Sequence, residues 1–494
     1  MNRIRINTLL LLLCIFLPGV AQDVSDGWNK NKTARLTKPV FVYNNWSAYD
    51  ELSDNIPLNE TLAMKELDHI ARLKKMGVQV DYYLMDAFWF DVNEGYRKWR
   101  SDCWPEGPKR WLDACKREGI KPGLWFSTNL LRIGGEANTM KVIPEWESSV
   151  AEDGVTLCLF RGGYLHHLMQ TLQMYADMGI KMFKFDFAYF DAATPDAKCT
   201  MLPADIEEQN KNAFISAIKE FRYKNPDVLF IGYNGFGGDM ENTVTPFRKT
   251  VDLRWLEIFD TMYCGDPRLS DVPMMNFWRS QDLYSDHMTF QYLFNGVPVQ
   301  RIDNCAFMIG TTGTCYNRAL NAWKGMMILT MARGGWLNVC HGNIDLLSDD
   351  DACWMAKVQQ LYMKVQQYGN ISAFGSIPGK ALPYGYMASA EGGNLYTVVN
   401  ASQEKVKVTL PEATGTGRVL FTDSGFIPVL EKNIVELGPE QMAVVGYGKF
   451  SARGYDLGIE KDIVIPATIQ KVKIDVQKKN SSAEVSGRQL PEAK

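Results

Sequence analysis

A cation and a carboxylate stand two residues apart in one apolar stretch, Met182-Phe183-Lys184-Phe185-Asp186-Phe187. Alternation with a period of two predicts a strand with Lys184 and Asp186 on one face and the phenylalanines on the other. Charged groups are costly on an apolar strand unless they face a polar cavity. We therefore expect Asp186 to end a strand at an active-site mouth, with Lys184 keeping it ionised. The alternative is an edge strand whose charged face is solvated.

Other side chains capable of chemistry follow further predicted strands, which lie at 39–43, 78–85, 122–126, 228–233 and 274–278. The polar and aromatic residues at or after these strand ends are Asn45, Trp46, Asp86, Trp125, Asn234, Arg279 and Asp282. Trp46, Trp89 and Trp125 are candidate platforms for stacking on a sugar, and core packing is the alternative for each. Asp86 is a candidate substrate ligand, and a turn or cap role is its alternative.

Two carboxylates in opposed environments are what glycoside hydrolysis needs, one ionised as nucleophile and one protonated as general acid. Asp186, beside Lys184, is the predicted nucleophile. Asp282 follows the apolar pair Phe277-Trp278 and is the predicted proton donor. Asp266, which precedes Pro267, is its rival, and a turn before that proline is the alternative explanation of Asp266.

These strands alternate with predicted helices, which is typical of a parallel (β/α)8 TIM barrel. The helices are predicted at 62–76, 111–118, 164–178, 206–223, 283–294, 319–331 and 349–368, with further strands near 299–303 and 336–338. A doubly wound sheet is the competitor, but no glycine-rich phosphate loop follows the first strand. We expect a catalytic barrel over 22–371, a small antiparallel β-sandwich domain over 372–480 and a disordered tail over 481–494.

The first residues are typical of a secretory signal peptide over 1–21. Arg3 and Arg5 precede an apolar run at 9–17, and Gly19-Val20-Ala21 resembles a cleavage site. The apolar run is too short to span a membrane. These features predict a periplasmic or secreted protein with no membrane span.

Charge and composition narrow the classes of ligand. The 494 residues carry a formal net charge of −4, which gives no footprint for nucleic acid. Only 5 histidines occur, and the cysteines form no Cys-x-x-Cys pair, so the sequence predicts no metal site and no cofactor. Thirteen Trp and 21 Tyr suit a carbohydrate substrate, although a Trp-rich core is the alternative. The oligomeric state is open.

Motifs from about residue 39 to 368 resemble the retaining α-galactosidases of glycoside hydrolase family 36, in clan D with family 27. The matching segments are Asn44-Asn45-Trp46-Ser47-Ala48, Met85-Asp86-Ala87-Phe88-Trp89-Phe90, Gly123-Leu124-Trp125-Phe126, Lys184-Phe185-Asp186, Trp278-Arg279-Ser280-Gln281-Asp282 and Gly335-Trp336-Leu337 with Leu347-Ser348-Asp349-Asp350. The resemblance implies a covalent glycosyl-aspartate intermediate on Asp186 and a sugar pocket that includes Asp86 and Lys184. Asp282 falls in the segment that resembles the family's acid/base.

Three departures from the family pattern concern the sugar and the domain content. Ala87 stands where the family has a second aspartate, and the family's Cys-x-x-Gly-Gly-Gly-Arg loop is replaced by 232–238. The family's large N-terminal β domain does not precede the first predicted strand. A non-hydrolytic sugar-binding homologue, or an α-glycosidase for a modified galactose or a pentose, is therefore the alternative to an α-galactosidase.

Overall fold

The structure is a computed structural model that describes residues 36–48, 59–134, 138–237, 251–265, 268–303, 307–310, 322–423 and 426–459. Every structural statement below refers to these residues. The predicted signal peptide over 1–21, the predicted tail over 481–494 and the rival acid Asp266 lie outside them.

Nine parallel strands form the first sheet. They are β1 (Val40–Asn44), β2 (Tyr82–Met85), β3 (Lys121–Ser127), β4 (Met182–Asp186), β5 (Leu229–Gly232), β6 (Thr261–Tyr263), β7 (Ile302–Asp303), β8 (Phe307–Ile309) and β9 (Leu337–Gly342). Their order is β7-β6-β5-β4-β3-β2-β1-β9-β8, so every paired couple except β1 with β9 is consecutive in the chain, whereas the consecutive strands β7 and β8 do not pair. The predicted strand at Lys184 is thus confirmed as β4.

Helices connect most of these strands. They are α1 (Glu60–Lys75), α2 (Lys109–Arg117), α3 (Tyr164–Asp177), α4 (Pro195–Thr200), α5 (Pro203–Lys224), α6 (Phe277–Phe294), α7 (Ala322–Ala332) and α8 (Asp349–Tyr368). Local chemistry fixes several of their ends. Asn59 caps α1, prolines begin α4 and α5, and α8 begins with a Ser348–Asp351 capping box. Within the described residues, no helix is long and apolar enough to cross a membrane.

The predicted strand over 274–278 is wrong. Phe277 and Trp278 open α6 instead, because Asn276 supplies an N-cap whose side-chain oxygen accepts the Arg279 N–H at 3.1 Å. The sixth strand is the three-residue β6, too short to give a period-two signal. The structure also contains β8 and α4, which the sequence analysis does not predict.

Two apolar clusters lie on the two faces of the parallel sheet. The smaller, which we call the inner cluster, takes alternate residues from six strands: Val40, Val42, Tyr82, Leu84, Met182, Leu229, Ile231, Tyr233, Tyr263, Leu337 and Val339, together with Leu36. The larger cluster packs the opposite face against the helices. Because strand side chains alternate, the residues that continue the inner series beyond the apolar ones lie at the carboxyl edge of the sheet.

The C-terminal part consists of two smaller sheets. One has the order β10-β11-β12-β17-β14-β18 and the other β13-β16-β15. Their strands are β10 (Asn370–Gly375), β11 (Tyr384–Ala390), β12 (Gly393–Val399), β13 (Val406–Thr409), β14 (Gly417–Thr422), β15 (Val429–Glu431), β16 (Ile434–Leu437), β17 (Met442–Tyr447) and β18 (Gly458–Ile459). All pairings are antiparallel except β14 with β18. One apolar cluster takes residues from both sheets, which makes them two packed layers.

Buried ionic groups join α6 to this β domain. Asp286 accepts hydrogen bonds from Tyr386 at 2.6 Å and from Tyr384, and it forms an ion pair with Arg333 at 2.6 Å. About two turns earlier, Arg279 bonds to Asp423 and to the backbone of the same domain. The polar face of α6 is therefore a domain-docking surface.

Candidate active site at the carboxyl edge of the parallel sheet

Side chains on the face of the inner cluster form a polar layer at the carboxyl edge, and this layer shares Tyr233 and Tyr263 with that cluster. Its members continue the inward-facing series of seven strands, and they are Asn44, Asp86, Lys184, Asp186, Tyr233, Tyr263, Asp303 and His341. In parallel α/β sheets this edge is where ligands bind. The structure thus brings together Asp86, Lys184 and Asp186, as the sequence predicts. It adds Tyr233, Asp303 and His341.

Lys184 and Asp86 form a buried ion pair across strands β4 and β2. The Lys184 Nζ lies 2.8 Å from Asp86 Oδ2, with side-chain exposures of only 4% and 5%. The Asp86 main-chain N–H donates to Asn45 Oδ1 at 2.8 Å, and the Ala87 N–H donates to Asp86 Oδ1 at 2.9 Å. The carboxylate is consequently fixed in position, with lone pairs left on both oxygens.

Two aromatic rings face the Lys184 ammonium. Its Nζ lies 4.0 Å from the centroid of the Tyr233 ring and 6.0 Å from that of Trp46. Both contacts are within the range of cation–π attraction. Trp46 is half-buried, so part of its indole remains available to a ligand. The prediction that Trp46 belongs to a sugar site is compatible with this placement.

Four N–H groups converge on the Asp186 carboxylate. Its Oδ1 accepts from the Phe187 N–H at 2.9 Å and from the Asn234 backbone and side chain at 3.2 and 2.9 Å. Among the residues that the structure describes, Trp125 Nε1 alone donates to its Oδ2, at 3.2 Å. All four groups are donors, which suits an ionised carboxylate. Oδ1 is saturated, whereas Oδ2 keeps a lone pair.

Burial and charge act in opposite directions on Asp186. Desolvation raises the pKa of this carboxyl above its ordinary value, and the Lys184 ammonium and the Trp125 and Asn234 hydrogen bonds lower it. The Asp86 carboxylate adds a smaller upward effect. Lys184 is therefore the charge that favours ionised Asp186, as the sequence suggests.

The backbone is strained where the chain leaves these strands. Ser47, Phe88 and Phe187 are non-glycine residues with φ of 64°, 73° and 49°, shortly after β1, β2 and β4. Such conformations are uncommon outside glycine and cluster at functional sites. At Gly235, with φ of 98°, a Cβ would lie 2.3 Å from the Ala188 carbonyl oxygen. Glycine there allows the loop after β5 to bring Asn234 against Asp186.

Asp303, at the end of β7, is a third carboxyl group in the layer. Its Oδ2 accepts a hydrogen bond from the Tyr233 hydroxyl at 2.8 Å. Burial raises the pKa of Asp303 to about 7, against the opposing effects of the Tyr233 hydrogen bond and the Lys184 charge. The sequence predicts a strand that ends near Asp303. A carboxylate at a strand end is the feature that could have identified Asp303 as a site residue.

Glu66, on α1, supports the layer from behind. Its buried carboxyl group accepts from Tyr83 and, at 3.2 and 3.4 Å, from the Tyr43 hydroxyl and Asn45 Nδ2. Since Asn45 also holds the Asp86 backbone, Glu66 reaches the site through one intervening side chain. Desolvation raises the pKa of Glu66 to about 8, and the three hydrogen bonds lower it less.

Arg279 and Asp282 do not lie in the polar layer. Asp282 is buried in α6 and bonds to Arg279 at 3.1 Å, and Arg279 in turn bonds to Asp423. The expectation that both residues end a sixth strand is corrected because α6 directs them toward the C-terminal β domain. Their ionic contacts explain their burial without a ligand.

Trp89 and Trp125 also have roles other than the predicted sugar stacking. Trp89 has no exposed surface and packs among aromatic side chains that include Phe90, Tyr96 and Trp99. Its Nε1 donates to the Trp125 carbonyl at 3.1 Å, so it is a core residue behind β3. Trp125 is buried as well and contacts the site through its bond to Asp186. Asn234, predicted to bind substrate, likewise contacts Asp186.

Within the described ranges, no group of three or more His, Cys, Asp or Glu side chains is arranged to hold a metal ion.

A parallel α/β sheet with a carboxylate-rich carboxyl edge, followed by a two-layered β domain, is the fold class of this chain. Its fold is shared by the galactosidase domain of AgaSK, at a TM-score of 0.59 and 15% identity over 87% of this chain and 58% of that one. A variant of the family 36 α-galactosidase AgaA from Geobacillus stearothermophilus, in complex with 1-deoxygalactonojirimycin, gives 0.56 and 15% over 87% and 58%. A putative α-galactosidase from Bacteroides fragilis gives 0.51 and 14% over 84% and 80%.

The sequence is similar to one curated protein of the same kind. Alpha-galactosidase Mel36A of Lactobacillus acidophilus is 26% identical over 226 residues, which are 42% of this chain and 29% of that protein. The chain therefore spans less than a third of the length of this relative. No protein-family model matches the chain. In sequence and in fold, the chain resembles the α-galactosidases of glycoside hydrolase family 36.

Proposed function

We propose that this protein is an exported retaining α-glycosidase that hydrolyses terminal α-linked galactose-type sugars from oligosaccharides or glycans. The observation that carries the proposal is the Asp186 carboxylate, held by four donors with one lone pair left on Oδ2. The α-galactosidase activity is inferred from the similarity to family 36 α-galactosidases. The arrangement fits a nucleophile at a sugar's anomeric carbon.

In this mechanism Oδ2 of Asp186 attacks the anomeric carbon, the glycosidic bond breaks, and a glycosyl-aspartate forms. Water then cleaves that ester bond and regenerates Asp186 with retention of configuration. Asp86 and Lys184 bind sugar hydroxyls, the first as an acceptor and the second as a donor. Each such charge-assisted hydrogen bond contributes about 1.5–3 kcal/mol. The half-buried Trp46 offers a ring face or edge beside them.

The proton donor is reassigned to Asp266. Asp282 follows the predicted sixth strand over 274–278, but Phe277 and Trp278 begin α6 instead. The sixth strand ends at Tyr263, so Asp266 is the aspartate that follows it in the chain by three residues. Catalytic residues in such folds come from the segments after strand ends.

The parallel sheet is proposed to close into a (β/α)8 barrel. Strands β7 and β8 pair with β6 and β9 at opposite ends of the strand order, yet only residues 304–306 separate them in the chain. Before β9, the Trp336 N–H donates to the Gln300 carbonyl at 3.3 Å, next to β7. β7 and β8 would then share one strand position, which completes eight.

Three variants measured on an aryl α-galactoside test the function and the two acids together. Asp186→Asn removes the attacking charge, so turnover is expected to fall by several orders of magnitude while sugar binding survives. Asp266→Asn should lose most activity on substrates with poor leaving groups and regain it when azide is added. Asp282→Asn is the matched control and should keep kcat within about threefold of the parent.

The outcomes separate the candidate functions. Sugar binding without turnover by the parent would favour the non-hydrolytic homologue, which the replacement Ala87 also favours. Turnover that is faster on an α-linked pentose or 6-deoxy sugar would favour a glycosidase for that sugar. Loss of activity in Asp282→Asn but not in Asp266→Asn would reverse the acid assignment.

Export is part of the proposal and rests on residues 1–21 alone. Cell fractionation should find the protein in the periplasm or medium, and N-terminal sequencing should begin at Gln22. A cytoplasmic protein that begins at Met1 would remove this part.

A further inference from the structure

We propose that His341 is a further substrate-binding residue, whose unprotonated Nε2 accepts a hydrogen bond from one hydroxyl of the bound sugar. The inference rests on the proposed glycosidase function and adds a ligand that the sequence motifs do not indicate.

The strand geometry places His341 in the polar layer. Leu337 and Val339 of β9 belong to the inner cluster, so period-two alternation puts His341 on the same face, one step nearer the carboxyl edge. Its partner in the parallel register is Asn44, the last residue of β1. His341 is 2% exposed.

The contacts of the imidazole fix which nitrogen carries the proton. Nδ1 lies 3.2 Å from the Asn44 carbonyl oxygen, which can only accept, so Nδ1–H is the donor. Nε2 has no hydrogen-bond partner among the residues that the structure describes. In a neutral ring with this tautomer, Nε2 is an acceptor with a vacant lone pair.

The surroundings keep the ring neutral. Burial and, after it, the Lys184 ammonium lower the pKa of His341 to about 3, against the opposing effects of the Asp86 carboxylate and the Asn44 carbonyl. Lys184 and Asp86 are thus the charged groups that act on the imidazole. Above about pH 4 the imidazole stays neutral and Nε2 can accept a hydrogen bond. A cationic side chain at this position could not accept one.

The position of His341 relative to the proposed sugar ligands gives its ligand class. The His341 imidazole lies edge-on to the Trp46 ring at a centroid separation of 5.5 Å. The centroid of the Trp46 ring is 6.0 Å from the Lys184 Nζ. Lys184 supplies a donor, whereas Asp86 already accepts from Lys184 and Ala87. A neutral acceptor beside Trp46 suits a hydroxyl that donates. A polyhydroxylated sugar fits this set.

A deoxy-substrate series tests the contact directly. His341→Leu removes the acceptor, His341→Gln keeps an uncharged acceptor, and His167→Leu replaces another buried histidine on α3 as the matched control. Each variant is compared with the parent on its best aryl α-glycoside and on the monodeoxy analogues of that glycoside. Folded fractions are equalised from thermal unfolding curves.

His341→Leu is expected to lower kcat/KM on the full sugar by roughly tenfold or more, with His341→Gln between it and the parent. On one monodeoxy analogue the loss should shrink to near onefold, because the hydroxyl that bonds Nε2 is absent. His167→Leu should show one ratio on every substrate. An equal loss for His341→Leu across the series, or no loss, overturns the inference but leaves the glycosidase function standing. A parent that turns over no glycoside removes both.

Nitrogen NMR of the full chain, labelled at histidine, provides a readout that does not depend on turnover. The Nε2 signal assigned to His341 through its absence in His341→Gln should stay in the unprotonated range from pH 5 to 8. It should move upfield when free galactose is added. Titration with an ordinary histidine pKa, or no response to a sugar that binds, contradicts the inference.

Discussion

Lys184 and Asp86 come from strands β4 and β2, and their charged atoms meet at 2.8 Å with almost no exposure to solvent. The ammonium also lowers the pKa of Asp186 and of His341 and lies 6.0 Å from the Trp46 ring centroid, so one charge acts on the proposed nucleophile, on Asp86 and on His341. A buried pair is a weak stabiliser as a whole but is costly to break from one side. The pair therefore ties folding to the proposed sugar site.

Removing one partner of this pair should cost more than removing both. Lys184→Met is expected to lower the free energy of unfolding by about 3–5 kcal/mol, because the Asp86 carboxylate stays buried. The double variant with Asp86→Asn should recover part of that loss. Urea unfolding of the parent, both single variants and the double variant measures the coupling. Additive losses would contradict a coupled buried pair.

Asp86→Ala should abolish measurable activity on every α-galactoside, since it removes a sugar acceptor and the partner of Lys184. The measurement is kcat/KM on an aryl α-galactoside, at protein concentrations where the variant is folded. If kcat/KM stayed within about threefold of the parent, a loss below 1 kcal/mol, Asp86 would not be a sugar ligand.

Ala87→Asp tests the departure from the family pattern. Ala87 packs in the larger apolar cluster at 8% exposure, so an aspartate there should destabilise the fold unless it turns toward the sugar. We expect a sharper preference for unmodified α-galactosides over 6-deoxy and pentose analogues, at some cost in thermal stability. Ala87→Asn is the control of equal size. An unchanged preference would mean that position 87 does not face the sugar.

Glu66 predicts a pH effect on stability with a definite sign. Its pKa is raised from 4.5 to about 8 in the fold, so between these values the folded chain holds a proton that the unfolded chain releases. The contribution of Glu66 to the free energy of unfolding is fully present below about pH 4.5 and is lost as the pH rises toward 8. Glu66→Gln should remove this contribution, a slope of up to about 1.4 kcal/mol per pH unit. Parallel pH profiles for parent and Glu66→Gln would exclude it, and Glu118→Gln, on an exposed turn, is the control.

Asp286 is expected to hold the β domain onto α6. Asp286→Ala removes the buried carboxylate that Arg333, Tyr384 and Tyr386 bind. The free energy of unfolding should fall by about 3–5 kcal/mol. Limited proteolysis should then cut between the two parts of the chain earlier than in the parent. Asp177→Ala, on the exposed end of α3, should change neither measurement. An unaltered Asp286→Ala protein would argue against the docking role.

The sequence was sufficient for the residues whose signals are local. Period-two alternation predicted β4 with Lys184 and Asp186, and the helix predicted over 349–368 is confirmed as α8. It failed at residues 274–278, where an apolar run outweighed the capping asparagine that begins α6. Contacts far apart in the chain were also out of reach. Tyr233 meets Asp303 across 70 residues, and Arg279 meets Asp423 across 144.

The same limit applies to the roles within the site. A tryptophan after a strand gives the same sequence pattern whether it stacks on a sugar, packs in the core or donates to a carboxylate. Only the contacts in the structure distinguish Trp46, Trp89 and Trp125. His341 was missed because its strand looked weak at 336–338. The alternation of Leu337 and Val339 indicates that the strand continues and that His341 lies on the same face as these two residues.

Covalent labelling of Asp186 tests the central claim most directly. A 2-deoxy-2-fluoro α-galactosyl fluoride, or its 5-fluoro analogue, should trap the glycosyl-enzyme, and peptide mass spectrometry should find the sugar on the peptide that contains Lys184-Phe185-Asp186. Asp186→Asn should remain unlabelled, and free galactose should protect the parent. A label on any other carboxylate, or a turnover product of inverted configuration, would contradict the account.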